Sequence, residues 1–276
     1  MPGQRDLSLV SASALVIASM VGSGVFTTSG FLLAELHSPG RVLGAWLAGG
    51  AIAMLGALCY GALARRFPES GGEYIFLGRT LHPAAGYLAG WVSLLVGFSA
   101  PLAAVSIAFG QYLQAWLPFS SARLTGSALL LVFAAIHAMH VQRGAWVQNC
   151  AVLIKLLLIA ALLGLSWGRL EPPPAIPPDS FPIAAFLVSL AWVSFSYSGW
   201  NAAIYIAGEI RDPERNLPRA MVVGTALVTV LYLALNALFV YAAPAEKLPL
   251  ATLVVPPRFR ADNIATLVER RRVLAA

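Results

Sequence analysis

Residues 194–216 read SFSYSGWNAAIYIAGEIRDPERN. The first half is apolar enough to lie in a bilayer. Ser196, Tyr197, Ser198, Gly199 and Asn201 interrupt it, and a dense charged run closes it. Lipid offers no water to satisfy backbone groups. A hydroxyl- and glycine-rich weak point is therefore tolerated only where it faces protein or an aqueous cavity. The stretch predicts a broken membrane helix.

Composition agrees. Of 276 residues, 59% are hydrophobic and 11% charged, and mean hydropathy is +0.77. A soluble domain carries about 25% charged residues, so the chain reads as an integral membrane protein. No charge occurs between Asp6 and Glu35, nor between Asp179 and Glu209. The net charge of +6 comes from arginines at segment ends and forms no basic stripe, so nucleic acid is not an expected partner. Cys59 and Cys150 both fall inside apolar segments, which argues against a disulfide framework. The first apolar run is too long for a cleavable signal peptide.

Seven membrane segments are expected, near 9–33, 42–64, 84–117, 124–141, 145–168, 181–208 and 218–243. The third is long enough to be strongly tilted. Turn chemistry marks the connections: SPG at 38–40, PESGG at 68–72 and EPPPAIPP at 171–178. With the N-terminus in the cytoplasm, inside connections hold Arg5, Arg65, Arg66, Arg79, Arg143, Arg211, Arg215 and Arg219. The outside holds Arg41, Arg123, Arg169 and Lys247, so the charge rule favours this orientation. The basic segment 246–276 then falls on the wrong side. It is expected to be an atypical, truncated end behind a single membrane domain at 1–245.

The first and sixth segments share a pattern. Each is uncharged over more length than one span needs, and each has a small-residue break near its middle: Gly22-Ser23-Gly24 and Ser198-Gly199. Glycine costs a helix about 1 kcal/mol relative to alanine. One such break reads as close helix packing. Two in corresponding places point to a transporter site. Backbone N–H groups at the start of a half-helix suit a carboxylate, and released carbonyls and hydroxyls suit an ammonium group. Together they would hold a zwitterion without a costly charged side chain in the membrane.

GSGVF at 22–26, FPESGGEYIFL at 67–77 and FSYSGWNAAIYIAGEIRDPERNLPRA at 195–220 resemble the amino acid–polyamine–organocation superfamily, and within it the L-type neutral amino acid transporters and bacterial permeases. The resemblance implies an all-α five-plus-five inverted-repeat fold, like that of the leucine transporter, with helices 1 and 6 broken. Residues 9–168 would form the first repeat, and 181–243 would open the second. It implies amino acid transport across the cell membrane by alternating access, proton-coupled or by exchange, with no cofactor. In the substrate site, which includes Gly22, the Ser23 and Gly24 N–H groups and the Ser23 hydroxyl would receive the carboxylate, and the carbonyls of Met20, Phe195 and Ser198 the ammonium. Phe195 would gate the site, and Ser196, Trp200 and Asn201 would shape the side-chain pocket. No charge occupies these positions, which favours neutral substrates. The loop LPFSSARL at 117–124 has no cysteine, so no disulfide-linked heavy chain is expected as a partner.

Lys155, in CAVLIKLLLIAA, is a formal charge well inside a span. Snorkelling is the bland alternative, but the lysine lies far from either end. The family carries a lysine in its fifth helix near the first break, implicated in coupling, so the resemblance gives Lys155 a coupling role. His137 and His140 lack a carboxylate or cysteine beside them and make a poor metal site. Glu69 and Glu73 could be a paired-carboxylate catalytic site, but Arg65, Arg66 and Arg79 nearby favour a loop salt network. Arg211, Asp212, Glu214 and Arg215 read as a solvated loop that locks against other cytoplasmic loops. Trp46, Trp91, Trp116, Trp167 and Tyr241 fit interface belts or packing. An inactive transporter fragment is one alternative, and a seven-helix receptor or retinal-type protein is the rival class. It would want its lysine in the last helix and an acidic counter-ion in the bundle, and neither is present. Nothing at membrane depth suggests an enzyme.

Overall fold

The computed structural model describes residues 7–22, 24–114, 116–117, 119–139, 141–166 and 181–242. Ser23, His140, Trp167, the side chain of His137 and the segments 171–178 and 246–276 lie outside them. The described chain is helical and follows the seven expected segments. The first is α1 (Leu9–Met20) followed by α2 (Gly24–Leu36), which meet at 46°. The second is α3 (Pro39–Arg66). A short helix that hydropathy does not reveal, α4 (Glu73–Thr80), precedes the third. That third segment runs 32 residues, Pro83–Gln114, as α5 (Pro83–Val92), a π-helical section (Ser93–Ser99) and α6 (Ala100–Gln114). Then come α7 (Ala122–Met139) and α8 (Val141–Leu165). The sixth segment is α9 (Ile183–Tyr197), a four-residue turn and a 3-10 helix (Ala202–Glu209). The seventh is α10 (Pro213–Ala242).

Local chemistry sets several boundaries. The Ser8 hydroxyl accepts from the Ser11 N–H and caps α1. Pro39 and Pro83 stand in the first turns of α3 and α5, where a missing N–H costs nothing. Asp212 takes a φ of 44°, and its carbonyl receives the N–H groups of Arg215 and Asn216 to start α10. In the long third segment Pro101 has no N–H to give. The helix widens to π geometry just before it, and the Ser99 hydroxyl bonds the Leu94 carbonyl at 2.7 Å.

The core lies where α1, α3, α9 and α10 meet, around Val16, Trp46, Ala53, Val193, Tyr197, Met221 and Tyr232. Trp46 is fully buried there and stacks edge-on against Tyr232, with centroids 5.3 Å apart. It belongs to the core, whereas Trp116 is 85% exposed. Lipid exerts no hydrophobic pressure between helices, so close backbone approach must hold them. Glycines on α3 supply it. A Cβ on Gly49 would collide with Val193, one on Gly50 would come 2.5 Å from Thr229 Cγ2, and one on Gly61 3.1 Å from Pro218. Around this core, α5 to α8 expose Leu94, Leu95, Val96, Leu102, Leu131, Val132, Leu157 and Leu158. Among the described residues five helices are long and apolar enough to span a bilayer, the bent α1–α2 pair makes a sixth, and Ala122–Ile136 is a shorter apolar helix. The chain is a multi-pass membrane protein.

Gly50→Val should overpack the α3–α10 seam by about 1–3 kcal/mol. A thermal melt in detergent should show a midpoint several degrees lower. An unchanged midpoint would mean that the seam is looser than its geometry indicates.

Candidate functional site

Both expected breaks are real interruptions. At the first, α1 ends at Met20. The Val21 N–H closes on the Ile17 carbonyl at 2.9 Å, and the Gly22 N–H turns back to the Met20 carbonyl at 2.9 Å. Gly24 opens α2. At the second, α9 ends at Tyr197. The Phe195 carbonyl accepts from the Ser198 N–H at 3.2 Å and its hydroxyl at 2.7 Å. Gly199 takes a φ of +105°, a conformation that a side chain would strain.

The breaks lie against each other. A Cβ on Gly24 would come 2.7 Å from Ser196 Oγ, and one on Gly199 would come 2.6 Å from the Ser19 carbonyl. Position 19 thus meets 199 while 24 meets 196, so the two spans run antiparallel through the junction. Thr28 and Ser196 share a buried hydroxyl–hydroxyl bond of 3.1 Å across it. The spans also meet at their far ends: Leu7 forms a parallel bridge with Ile210 through bonds to Glu209 and Arg211.

Two side chains from other helices finish the junction. The fully buried phenol of Tyr232, on α10, lies 2.7 Å from the Met20 carbonyl and 3.0 Å from the Ser196 carbonyl, and donates to this pair. One group thus serves both half-helix ends. On α8, Lys155 donates from Nζ to the Val21 carbonyl at 2.6 Å. It does not snorkel. Its ammonium is spent on an acceptor that the first break releases. Further along, the Ser29 hydroxyl bonds Asn236 Oδ1, and Asn236 Nδ2 bonds the Tyr232 carbonyl at 2.7 Å. Other residues of the junction are open: Ser19, Gly22, Phe195 and Ser198 are all exposed.

The profile of a family described as "Amino acid permease" matches residues 7–266. The chain belongs to that family. It is 33% identical over 262 residues to the b(0,+)-type amino acid transporter 1 of Mus musculus, covering 89% of this chain and 53% of that protein. It is 31% identical over 261 residues to the large neutral amino acids transporter small subunit 2 of Homo sapiens, covering 89% and 49%. The chain spans about half the length of the curated relatives it matches.

Against this family background the expected site residues divide. Met20, Gly22, Gly24, Phe195, Ser196 and Ser198 come together at the junction, with Lys155 bonded to it. Ser23 lies outside the described residues. Ser196 is buried and joins the two spans instead of facing the open side. Phe195 is 75% exposed, beside Trp192. Trp200 turns to α3, edge-on to Tyr60 with centroids 4.9 Å apart, its ring filling the space over Gly56. Asn201 donates to Glu73 Oε1 at 2.6 Å.

The two acids read as one loop network also separate. Glu69 pairs with Arg79 at 3.3 Å at the surface, whereas Glu73 bonds Asn201 and Tyr205. Tyr232 escaped the sequence reading. Only its place one turn before Asn236 on an apolar helix could have flagged it. Among the described residues no group of three His, Cys, Asp or Glu could hold a metal.

Tyr232→Phe should leave the Met20 and Ser196 carbonyls short of their buried donor, at about 1–3 kcal/mol. Amide exchange at Val21, Gly22, Gly199 and Ala202 should quicken by roughly tenfold, with α3 little changed. Unchanged exchange at these four amides would mean that Tyr232 does not hold the junction.

Proposed function

We propose that the chain forms the substrate-binding part of a secondary transporter that moves neutral amino acids across the cell membrane by alternating access, by proton coupling or by exchange. The carrying observation is the meeting of two broken, antiparallel helices at one junction, with Lys155 bonded to the first break. Residues 9–168 serve as the first five-helix repeat and 181–243 begin the second. The N-terminus lies in the cytoplasm, with Arg65, Arg79, Arg211 and Arg219 at the same end.

A substrate approaches from the open face at Gly22, Phe195 and Ser198. Its carboxylate is received at the start of α2, at Gly24 and Ser23, where the helix dipole is positive. Its ammonium is shared among the carbonyls of Met20, Phe195 and Ser198. The Met20 carbonyl already accepts from the Gly22 N–H and Tyr232, and the Phe195 carbonyl from the Ser198 N–H and hydroxyl, so the ammonium replaces one of these donors on each. Ser196 fixes the distance between the breaks, and Trp200 and Asn201 anchor the far side of the turn to α3 and α4. Lys155 supplies a positive charge beside the first break and couples its occupancy to helix position. Relatives whose names specify b(0,+)-type and large neutral amino acids support an amino acid as substrate.

Purified protein should melt at higher temperature with neutral L-amino acids and not with L-glutamate, since a ligand that binds only the folded state stabilises by mass action. No stabilisation or uptake with any neutral amino acid would overturn the reading. In proteoliposomes, Lys155→Ala should lose uptake by about tenfold or more, the scale of one charge-assisted hydrogen bond. Wild-type uptake by that variant would remove Lys155 from the mechanism.

A further inference from the structure

We propose that Glu73 is a positioning residue, a latch that holds the 3-10 half of the sixth span closed against α3, α4 and the π section of the third span. This deepens the transporter reading and rests on it, because a moving half-helix matters only if the site alternates. The sequence assigned Glu73 to a surface salt network, and the structure gives it different work.

The turn before α4 sets the carboxylate in place. Gly71 and Gly72 take φ values of 135° and 57°, and a Cβ on Gly72 would lie 2.6 Å from the Tyr205 ring. Only glycine lets the turn lie flat on that ring, and this puts Glu73 at the edge of the 3-10 helix. Both carboxylate oxygens are then used. Oε1 accepts from Asn201 Nδ2 at 2.6 Å and Oε2 from the Tyr205 hydroxyl. The Tyr60 phenol of α3 faces the same group. Tyr205 also reaches Ser93 Oγ at 3.3 Å and stacks edge-on with Phe98, with centroids 4.9 Å apart, both in the π section. The arginine nearest in sequence within α4, Arg79, is paired with Glu69 instead.

The segment held this way is intrinsically weak. A 3-10 helix has poorer hydrogen-bond geometry than an α-helix, and Ile206 inside it is non-helical at φ −116° and ψ 25°. Gly199 at its start is a ready pivot. The α9 half is fastened separately, through Ser196 to Thr28 and Tyr232. Breaking the Glu73 bonds therefore loosens the Asn201–Tyr205 half of this segment while the substrate junction stays assembled, with Ser70 on Gly208 and Leu7 on Glu209 left to tie its far end.

The test uses buried reporter cysteines in a Cys59→Ser, Cys150→Ser background. Ala207→Cys lies in the 3-10 helix and Ala45→Cys in the core, at positions 1% and 0% exposed. N-ethylmaleimide labelling at 207 should be slow in the parent and at least about tenfold faster in Glu73→Ala and Tyr205→Phe, with position 45 unchanged. Glu73→Gln keeps one acceptor oxygen and should fall between. Arg79→Ala, which breaks only the surface pair, should label at the parent rate. Parent-rate labelling at 207 in Glu73→Ala, or equal acceleration at 45 and 207, would overturn the latch. The assay needs no substrate, so a failure to bind amino acids would count against the transporter reading and leave this result standing.

Discussion

A backbone carbonyl released inside a membrane must find a donor, and this requirement organises the whole structure. Breaking a helix in water is inexpensive because water takes up the freed groups. In hydrocarbon each unsatisfied group costs several kcal/mol. The chain breaks two helices at similar depth and answers with donors brought from elsewhere. Tyr232 covers Met20 and Ser196, Lys155 covers Val21, and the Ser198 hydroxyl covers Phe195. The helices that carry these donors are thereby fixed around the junction. The α3 glycines let α10 approach closely enough for the Tyr232 phenol to reach the gap, and Trp46 closes over that ring.

The two breaks are satisfied in different ways, and the difference has consequences for motion. The donors at the first break are on α8 and α10, so it cannot open without moving against both. The second is largely self-contained: Ser198 caps the helix it ends, and Gly199 takes a positive φ in the turn that follows. Its α-helical half is tied into the junction by Ser196, whereas its 3-10 half is tied by side chains of α3, α4 and the third span. A hinge between two separately fastened halves can turn without exposing an unsatisfied carbonyl in lipid.

Much of this was legible in the sequence. Segment positions follow from hydropathy, which the bilayer enforces directly. The breaks were visible because glycine and serine are conspicuous in apolar runs, and Lys155 because a charge at that depth has few explanations. Features that depend on tertiary approach were hidden. Tyr232 looks like any aromatic residue in a membrane helix, and its hydroxyl acquires meaning only when two other helices end beside it. Glu73 was hidden for a similar reason. An acid after two glycines and among arginines reads as solvated, and only the positive φ values of those glycines turn it toward Tyr205. The π section was also silent, since hydropathy registers a long apolar run and not its winding. Trp200 and Asn201 were expected to shape the side-chain pocket; their contacts with Tyr60 and Glu73 were not legible, because residues in a turn can face any side of it.

The chemistry at the junction also constrains what can be bound there. Lys155 is a charge bonded to the first break, and its ammonium sits on a carbonyl rather than on a carboxylate. A second cation brought close would meet that charge, and the acid at the second break, Glu73, has both oxygens engaged by Asn201 and Tyr205. A ligand bearing both charges can direct its negative end toward Lys155 and the start of α2 while its ammonium replaces donors on the released carbonyls. A side chain with no formal charge adds nothing to this balance, and an extra cationic group upsets it. This balance supports the proposal that the junction takes neutral zwitterions.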